Sequence, residues 1–351
     1  MFIPKWLEKA VVRWIRIDRY LPLQIDITNA CNLSCDHCYH SHHKNDGALT
    51  LTQWANIIRQ YFTLLEKTGY DPYIIICGGE PLLSPKLSPL LGELGGYFER
   101  YKDRRLAILT NGVLAKRIDL STLSRFPMVE FQISIDGPDA RRHDEIRGRG
   151  NFEKSLAGAR FLLENGFQVD FLAVLSGRSA MWIKDFFSMA KEVRVRNMGF
   201  TRLIVQGQAL NLAKSGSDRP LGPLELRMAY LTIIDEVMRT GVRSNLHHEL
   251  SCLIHPSFGR SGRFGEGIVV DYQGKIIASS RSRLELGDAL KDGLEQIFFH
   301  HPILKKLRAG QIEVCGDCEY LRICGGNRNA AFAETGNYLG PDPGCWKKVV
   351  S

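Results

Sequence analysis

Three thiols fall within eight residues in the run Cys31-Asn-Leu-Ser-Cys35-Asp-His-Cys38-Tyr39. The run directly follows an apolar, alternating stretch, Leu23-Gln-Ile-Asp-Ile-Thr. Three thiolates can hold three irons of a cubane iron–sulfur cluster, which leaves the fourth iron without a protein ligand. A purely structural cluster uses four cysteines, and a structural zinc site is likewise closed by four ligands. A three-cysteine site is therefore built to bind something else on its open iron. A zinc or disulfide loop, with His37 or His40 as fourth ligand, is the alternative this run alone leaves open.

The chain has 351 residues and nine cysteines. An odd, clustered set does not suit a secreted disulfide framework. The grouping, Cys31, Cys35 and Cys38, then Cys315, Cys318, Cys324 and Cys345, reads as metal binding in a reducing, cytoplasmic compartment. Cys77 and Cys252 are left over. Cys77 reads as a small packed apolar residue. The formal charge of +8 permits an acidic or phosphate-bearing partner without specifying one. No run of Lys and Arg with interleaved aromatics marks a nucleic-acid groove. No stretch approaches the roughly 18 apolar residues of a membrane span. Residues 1–22 form an amphipathic segment without an uninterrupted signal-peptide core. A helix capping the following domain, or docking at a membrane surface, would account for it.

These residues need elements to position them. Apolar strand-like runs at 23–29, 73–77, 106–110, 129–135, 168–175 and 199–205 alternate with helix-period runs at 50–67, 84–101, 117–125, 151–165, 182–193 and 223–240. Such alternation implies α/β architecture with a parallel sheet and right-handed crossovers. About six units predict a partial (β/α) barrel over 23–244. Function gathers at the carboxyl ends of strands in such folds. Here those ends carry Cys31–Tyr39, Cys77-Gly-Gly-Glu-Pro-Leu82, Thr110-Asn-Gly112, Ser134-Ile-Asp-Gly-Pro138 and Gln206-Gly-Gln-Ala209. After about 245 the pattern changes to a strand–turn–strand around Gly274, a helix at about 292–309 and the second cysteine group. Residues 245–351 are thus predicted to be a small, cysteine-rich α+β extension.

Cys31-x3-Cys35-x2-Cys38, Gly78-Gly79-Glu80-Pro81 and Ser134-x-Asp136-Gly137 together resemble the radical S-adenosylmethionine enzymes. The resemblance implies a [4Fe–4S] cluster on Cys31, Cys35 and Cys38, with S-adenosylmethionine on the open iron. It implies that Gly78 and Gly79 let backbone approach closely, that Glu80 or nearby carbonyls accept from the methionine ammonium, and that Pro81 stiffens the turn. His37 would lie near the adenine and Ser134 at the ribose. Asp136 is a further cofactor candidate, although Asp-Gly-Pro is also ordinary turn chemistry. Asn111 and Arg147 complete the cofactor set. His37 and the loop Tyr39-His40-Ser-His42-His43-Lys44 also fit a plain solvated loop.

Cys315-x2-Cys318-x5-Cys324, with Gly325-Gly326 and later Asp342-Pro-Gly-Cys345-Trp346, resembles the SPASM extension of a large subfamily. His143-Asp144-x-x-Arg147-Gly148 and Val205-Gln-Gly207-Gln-Ala209 resemble that subfamily's barrel. A full extension holds two auxiliary clusters. This chain has Arg328 where another cysteine belongs, Ala278-Ser-Ser-Arg-Ser at the end of the hairpin, and only Cys252 upstream of it. The resemblance therefore implies one auxiliary [4Fe–4S] cluster on Cys315, Cys318, Cys324 and Cys345. A zinc site could use the same four ligands.

The expected activity is reductive cleavage of S-adenosylmethionine to a 5′-deoxyadenosyl radical that takes a hydrogen atom from the substrate. The expected substrate is a ribosomally made precursor peptide, receiving a cross-link or other modification. A flavodoxin- or ferredoxin-type donor would supply electrons. Peptide epimerisation, sulfatase maturation and tetrapyrrole side-chain chemistry are the alternative activities. A non-catalytic iron–sulfur scaffold or sensor is the alternative of another class. No catalytic acid, base or hydrogen donor can be named beyond Cys252 as a candidate thiol donor. The short segment before the first strand leaves no room there for a separate leader-binding domain.

Overall fold

The computed structural model describes residues 19–245, 249–258, 265 and 267–347. The amphipathic segment expected over 1–22 lies almost wholly outside the described residues. So does much of the stretch that precedes the hairpin.

Six strands run parallel in chain order: β1 (Tyr20–Thr28), β2 (Asp71–Gly78), β3 (Arg105–Thr110), β4 (Val129–Ser134), β5 (Gln168–Leu175) and β6 (Asn197–Arg202). Each lies within a few residues of its predicted run. The face turned to the helices is apolar and fully buried, as at Ile25, Ile76, Ile108 and Ile133, whereas Gln24, Gln132 and Ser134 on the inward face line a cavity. Helices cover the outer face: α1 (Leu51–Thr68), α2 (Leu87–Phe98), α3 (Ala140–Arg147), α4 (Asn151–Glu164), α5 (Ile183–Val193), α6 (Ala209–Ser215) and α7 (Pro223–Thr240).

The first crossover shows why the sequence folds this way. Thr50 and Gln53 form a reciprocal capping box, and Gly69 ends α1 in the left-handed region at φ 72°. Trp54, Ile57, Ile58, Tyr61 and Leu65 recur at helical spacing and bury one face. The Tyr61 hydroxyl donates to the Leu21 carbonyl at 2.5 Å, which ties α1 to β1.

The predicted helix at 117–125 is instead two 3-10 turns, Ala115–Arg117 and Leu120–Leu123. Ile118 is extended between them, and Asp119 caps the second by accepting from Ser121 N. The helices α3 and α6 were not expected. Both are short, which weakens any periodic signal.

The extension does not stand apart at 245. Its first strand, β7 (Ile268–Val270), pairs parallel with β1. An antiparallel pair follows, β8 (Lys275–Ile277) and β9 (Glu285–Asp288). One sheet of nine strands runs β6-β5-β4-β3-β2-β1-β7-β8-β9 among the described residues. The helix expected over 292–309 is two, α8 (Leu294–His300) and α9 (Pro302–Arg308). His301 is extended before Pro302, which cannot continue a helix but suits its first position. A last helix, α10 (Arg328–Thr335), follows the second cysteine group.

Candidate active site

A cavity of about 450 Å³ opens at the carboxyl ends of the parallel strands. All three cysteines of the first group line it. Cys35 is buried, and Cys31 and Cys38 are half-buried. Leu33 N points at Cys31 Sγ from 3.4 Å. Arg147 Nη1, from the last turn of α3, stands 3.7 Å from Cys35 Sγ. Burial pushes the three free thiols up, Cys35 to about 12, and Arg147 opposes that rise at each. Backbone N–H groups and a fixed cation around three thiols suit an anionic cluster. Among the described residues, no three His, Cys, Asp or Glu side chains converge on a point able to hold a single metal ion.

Asp136 organises this side of the cavity without entering it. Its Oδ2 accepts from Arg147 Nε and lies 2.6 Å from His37 Nε2. Its Oδ1 accepts from Val174 N at 2.7 Å. Burial would raise this carboxyl's pKa, but Arg147 and His37 together hold it far below the usual range. Asp136 therefore positions His37 and Arg147, both of which line the cavity. Asp136 itself is not among the residues that line the cavity.

The Gly78–Pro81 turn likewise differs from expectation. Gly79 N donates to Thr28 O and Glu80 N to Ala30 O, both at 2.8 Å. A Cβ on Gly79 would stand 2.3 Å from Ala30 O, and one on Gly78 2.2 Å from Thr28 O. The glycines thus let β2 close on the strand end that launches the cysteine loop, while still lining the cavity. Glu80 is fully buried and faces away from the cavity. Its Oε1 accepts from Thr110 Oγ1 at 2.7 Å and its Oε2 from Asn111 N at 2.8 Å. It staples β2 to β3, and Pro81 is buried at the start of a 3-10 turn. Neither side chain reaches the cavity. Asn111 and Ser134 do. Asn111 Nδ2 also donates to Asn32 Oδ1 at 2.8 Å, reaching into the cysteine loop.

The loop after Cys38 folds back over β1. Asn29 Nδ2 donates to the carbonyls of His42 and Lys44 at 3.0 and 2.7 Å. Tyr39, His40 and His43 line the cavity. Cys77 does too, and it is hydrogen-bonded by Tyr39.

The second cysteine group sits beside the barrel's far wall. Cys315, Cys324 and Cys345 all pack into the common core. Cys252 is 1% exposed and does not line the cavity. Its thiol lies beside that of Cys324 and draws the Cys324 thiol down. Arg328, at the position of the missing cysteine, is buried and donates to the carbonyls of Tyr338 and Gly340 at 3.3 and 2.6 Å. Asp342 receives Arg202 from the end of β6. Arg202, Asn245, Ser279, Arg281 and Asn327 also line the cavity. None was singled out from sequence. The available signal was the departure at Ala278-Ser-Ser-Arg-Ser, whose side chains now form cavity wall.

The radical SAM superfamily profile matches residues 25–190. Those residues carry a radical SAM domain, and the chain is an enzyme. The cofactors of the class are a [4Fe–4S] cluster and S-adenosylmethionine, with auxiliary clusters in maturases that carry the C-terminal extension. Among similar proteins, mycofactocin maturase MftC of Mycobacterium ulcerans is 28% identical, over 94% of this chain and 88% of its own. An AdoMet-dependent heme synthase of Methanosarcina barkeri is 26% identical, over 91% and 94%. The solved structure of anSMEcpe with bound AdoMet shares the fold at TM-score 0.71 and 17% identity, over 94% of this chain and 91% of that one. Streptococcus suis SuiB bound to precursor peptide SuiA does so at 0.66 and 18%, over 91% and 74%. No described helix is long and apolar enough to cross a membrane.

Proposed function

We propose that this enzyme modifies a ribosomally made precursor peptide, forming a side-chain cross-link by hydrogen abstraction. The observation that carries the reading is the cavity. It joins the three-cysteine loop to a wall of hydrogen-bonding side chains from both the barrel and the extension. The likeness to a mycofactocin maturase supports the reading.

Cys31, Cys35 and Cys38 would hold the cluster, and Cys315, Cys318, Cys324 and Cys345 a second, closed one. When bound, the first cluster and S-adenosylmethionine supply a carbon-centred radical able to take hydrogen from an unactivated C–H bond. The chain's residues orient and enclose. Arg147 keeps positive charge beside Cys35. Asp136 fixes His37 at the cavity edge. Glu80 locks the β2 and β3 ends that frame the site. Leu172, Val174 and Ile204 give the cavity an apolar side that excludes water. Nine cysteines, grouped as these are, suit a reducing compartment such as the cytoplasm. A flavodoxin- or ferredoxin-type protein would deliver electrons.

A tetrapyrrole substrate is the second reading, favoured by the likeness to heme synthases. Anaerobic reconstitution with short peptides encoded near this chain tests both. Loss of two hydrogens from a peptide, together with 5′-deoxyadenosine, supports the proposal. Turnover of a porphyrin side chain with loss of carbon dioxide, and none of any peptide, would overturn it. About eight irons per chain fits two cubanes.

A further inference from the structure

Three arginines line the cavity, Arg147, Arg202 and Arg281. Two have their charge met inside the protein. Asp136 pairs with Arg147 and Asp342 with Arg202. Arg281 is half-buried, and among the described residues no carboxylate pairs with it. Its Nη1 donates to the hydroxyl of Thr201 on β6. A guanidinium carries five N–H donors, so most of its bonding capacity faces the cavity.

The backbone around Arg281 is held in place by neighbouring side chains. Arg281 N donates to Ser279 Oγ at 3.2 Å. The Gln206 amide donates to the carbonyls of Arg281 and Ser282 at 3.0 and 3.2 Å. Ser280 bonds to Gln24 and Asp26 of β1 at 2.6 and 2.9 Å. Arg283, two positions on, points instead to Asp271 at 3.0 Å. The turn therefore separates its two arginines, one to an internal carboxylate and one to the cavity. Glu249, held by Asn327 Nδ2 at 3.3 Å, also lines the cavity and marks where an anion is repelled.

We infer that Arg281 is the anchor for a carboxylate of the substrate. This rests on the reading that the cavity is the substrate site. A planar guanidinium fixed at one edge can take a carboxylate through two parallel N–H donors. The anchor would set which carbon faces the cofactor. The carboxylate belongs either to a peptide, on a side chain or at the C-terminus, or to a propionate arm of a tetrapyrrole.

The test uses the anaerobically reconstituted enzyme with S-adenosylmethionine, in wild-type form and as Arg281→Gln and Arg281→Lys. Melting temperature is titrated with sodium propionate against propionamide at constant ionic strength. The wild type should be stabilised by propionate only, with apparent affinity about tenfold weaker in Arg281→Gln and partly restored in Arg281→Lys. Equal responses to propionate and propionamide in the wild type overturn the inference, as does an unchanged propionate response in Arg281→Gln. Peptides as carboxylate and amide pairs, and an iron porphyrin with its methyl ester, then identify the source. Discrimination only within the porphyrin pair overturns the peptide reading and supports the anchor. Discrimination within a peptide pair supports both.

Discussion

Arg202 and Asp342 join the barrel to the auxiliary loop through two parallel bonds, Nη1 to Oδ2 at 2.8 Å and Nη2 to Oδ1 at 2.9 Å. Arg202 ends β6 and lines the cavity, whereas Asp342 lies three residues before Cys345. Asp342 also accepts from Asn327 N at 2.7 Å and Gly344 N at 2.8 Å. Substrate wall and auxiliary cysteines therefore share one rigid joint.

Removing one partner of that joint leaves a buried charge alone. Asp342→Asn should cost about 3–5 kcal/mol and lower the iron held at the auxiliary site. The double variant Arg202→Met/Asp342→Leu should lose less than the single variant, because no bare charge remains. Urea unfolding and iron content check this. A double variant as damaged as the single would show that the pair's charge is not what matters.

Gly79→Ala should empty the first site and spare the second. The added Cβ meets the carbonyls of Ala30 and Asn29 at 2.3 and 2.6 Å, both backbone atoms that cannot rotate aside. Iron should fall from about eight to about four per chain, with S-adenosylmethionine binding lost by calorimetry. Gly96→Ala is the control, since its Cβ would meet nothing within 4 Å. In the last turn of α2 it should leave stability unchanged or raise it by up to about 0.5 kcal/mol.

The six parallel strands were legible because each keeps a row of buried apolar residues between helix-period runs. The three-cysteine loop and the paired glycines were legible from spacing alone. Glu80 and Asp136 were visible as residues but not as positioning groups. Whether a carboxylate faces a ligand or a neighbouring strand depends on side-chain direction, which a motif does not encode. Arg281 and Arg202 escaped notice because no local pattern marks them. Their role comes from the two opposite ends of the sheet, β6 and the turn between β8 and β9, meeting across the cavity. A change of pattern near 245, from βα units to a hairpin, does not require the sheet to end, and β7 beyond it pairs with β1.

Arg328→Cys should not create another cluster. It supplies one thiol where the remaining ligands are absent, and it removes a buried guanidinium that serves the carbonyls of Tyr338 and Gly340. Iron should stay at about eight per chain, while stability falls by roughly 1–3 kcal/mol from the orphaned carbonyls. A rise toward twelve irons would show that a second auxiliary site is still latent.

Asp26 supplies a pH test away from the two cysteine groups. It is 1% exposed on β1 and bonded to Gln24 and Ser280. Burial lifts its carboxyl from 3.8 to about 6, against the pull of those two bonds and Arg283. A group whose folded pKa is raised stabilises fully below its unfolded pKa, and that contribution is lost as pH climbs through the folded value. The wild type should therefore lose stability between about pH 4 and 6, where Asp26 must ionise in the fold. Asp26→Asn keeps an acceptor for Ser280 and removes the ionisation. Measured by urea unfolding, the variant should gain on the wild type by roughly 1–1.5 kcal/mol between pH 5 and pH 8. A difference that stays constant across that range would mean Asp26 is already ionised at pH 5, and that Gln24, Ser280 and Arg283 outweigh its burial.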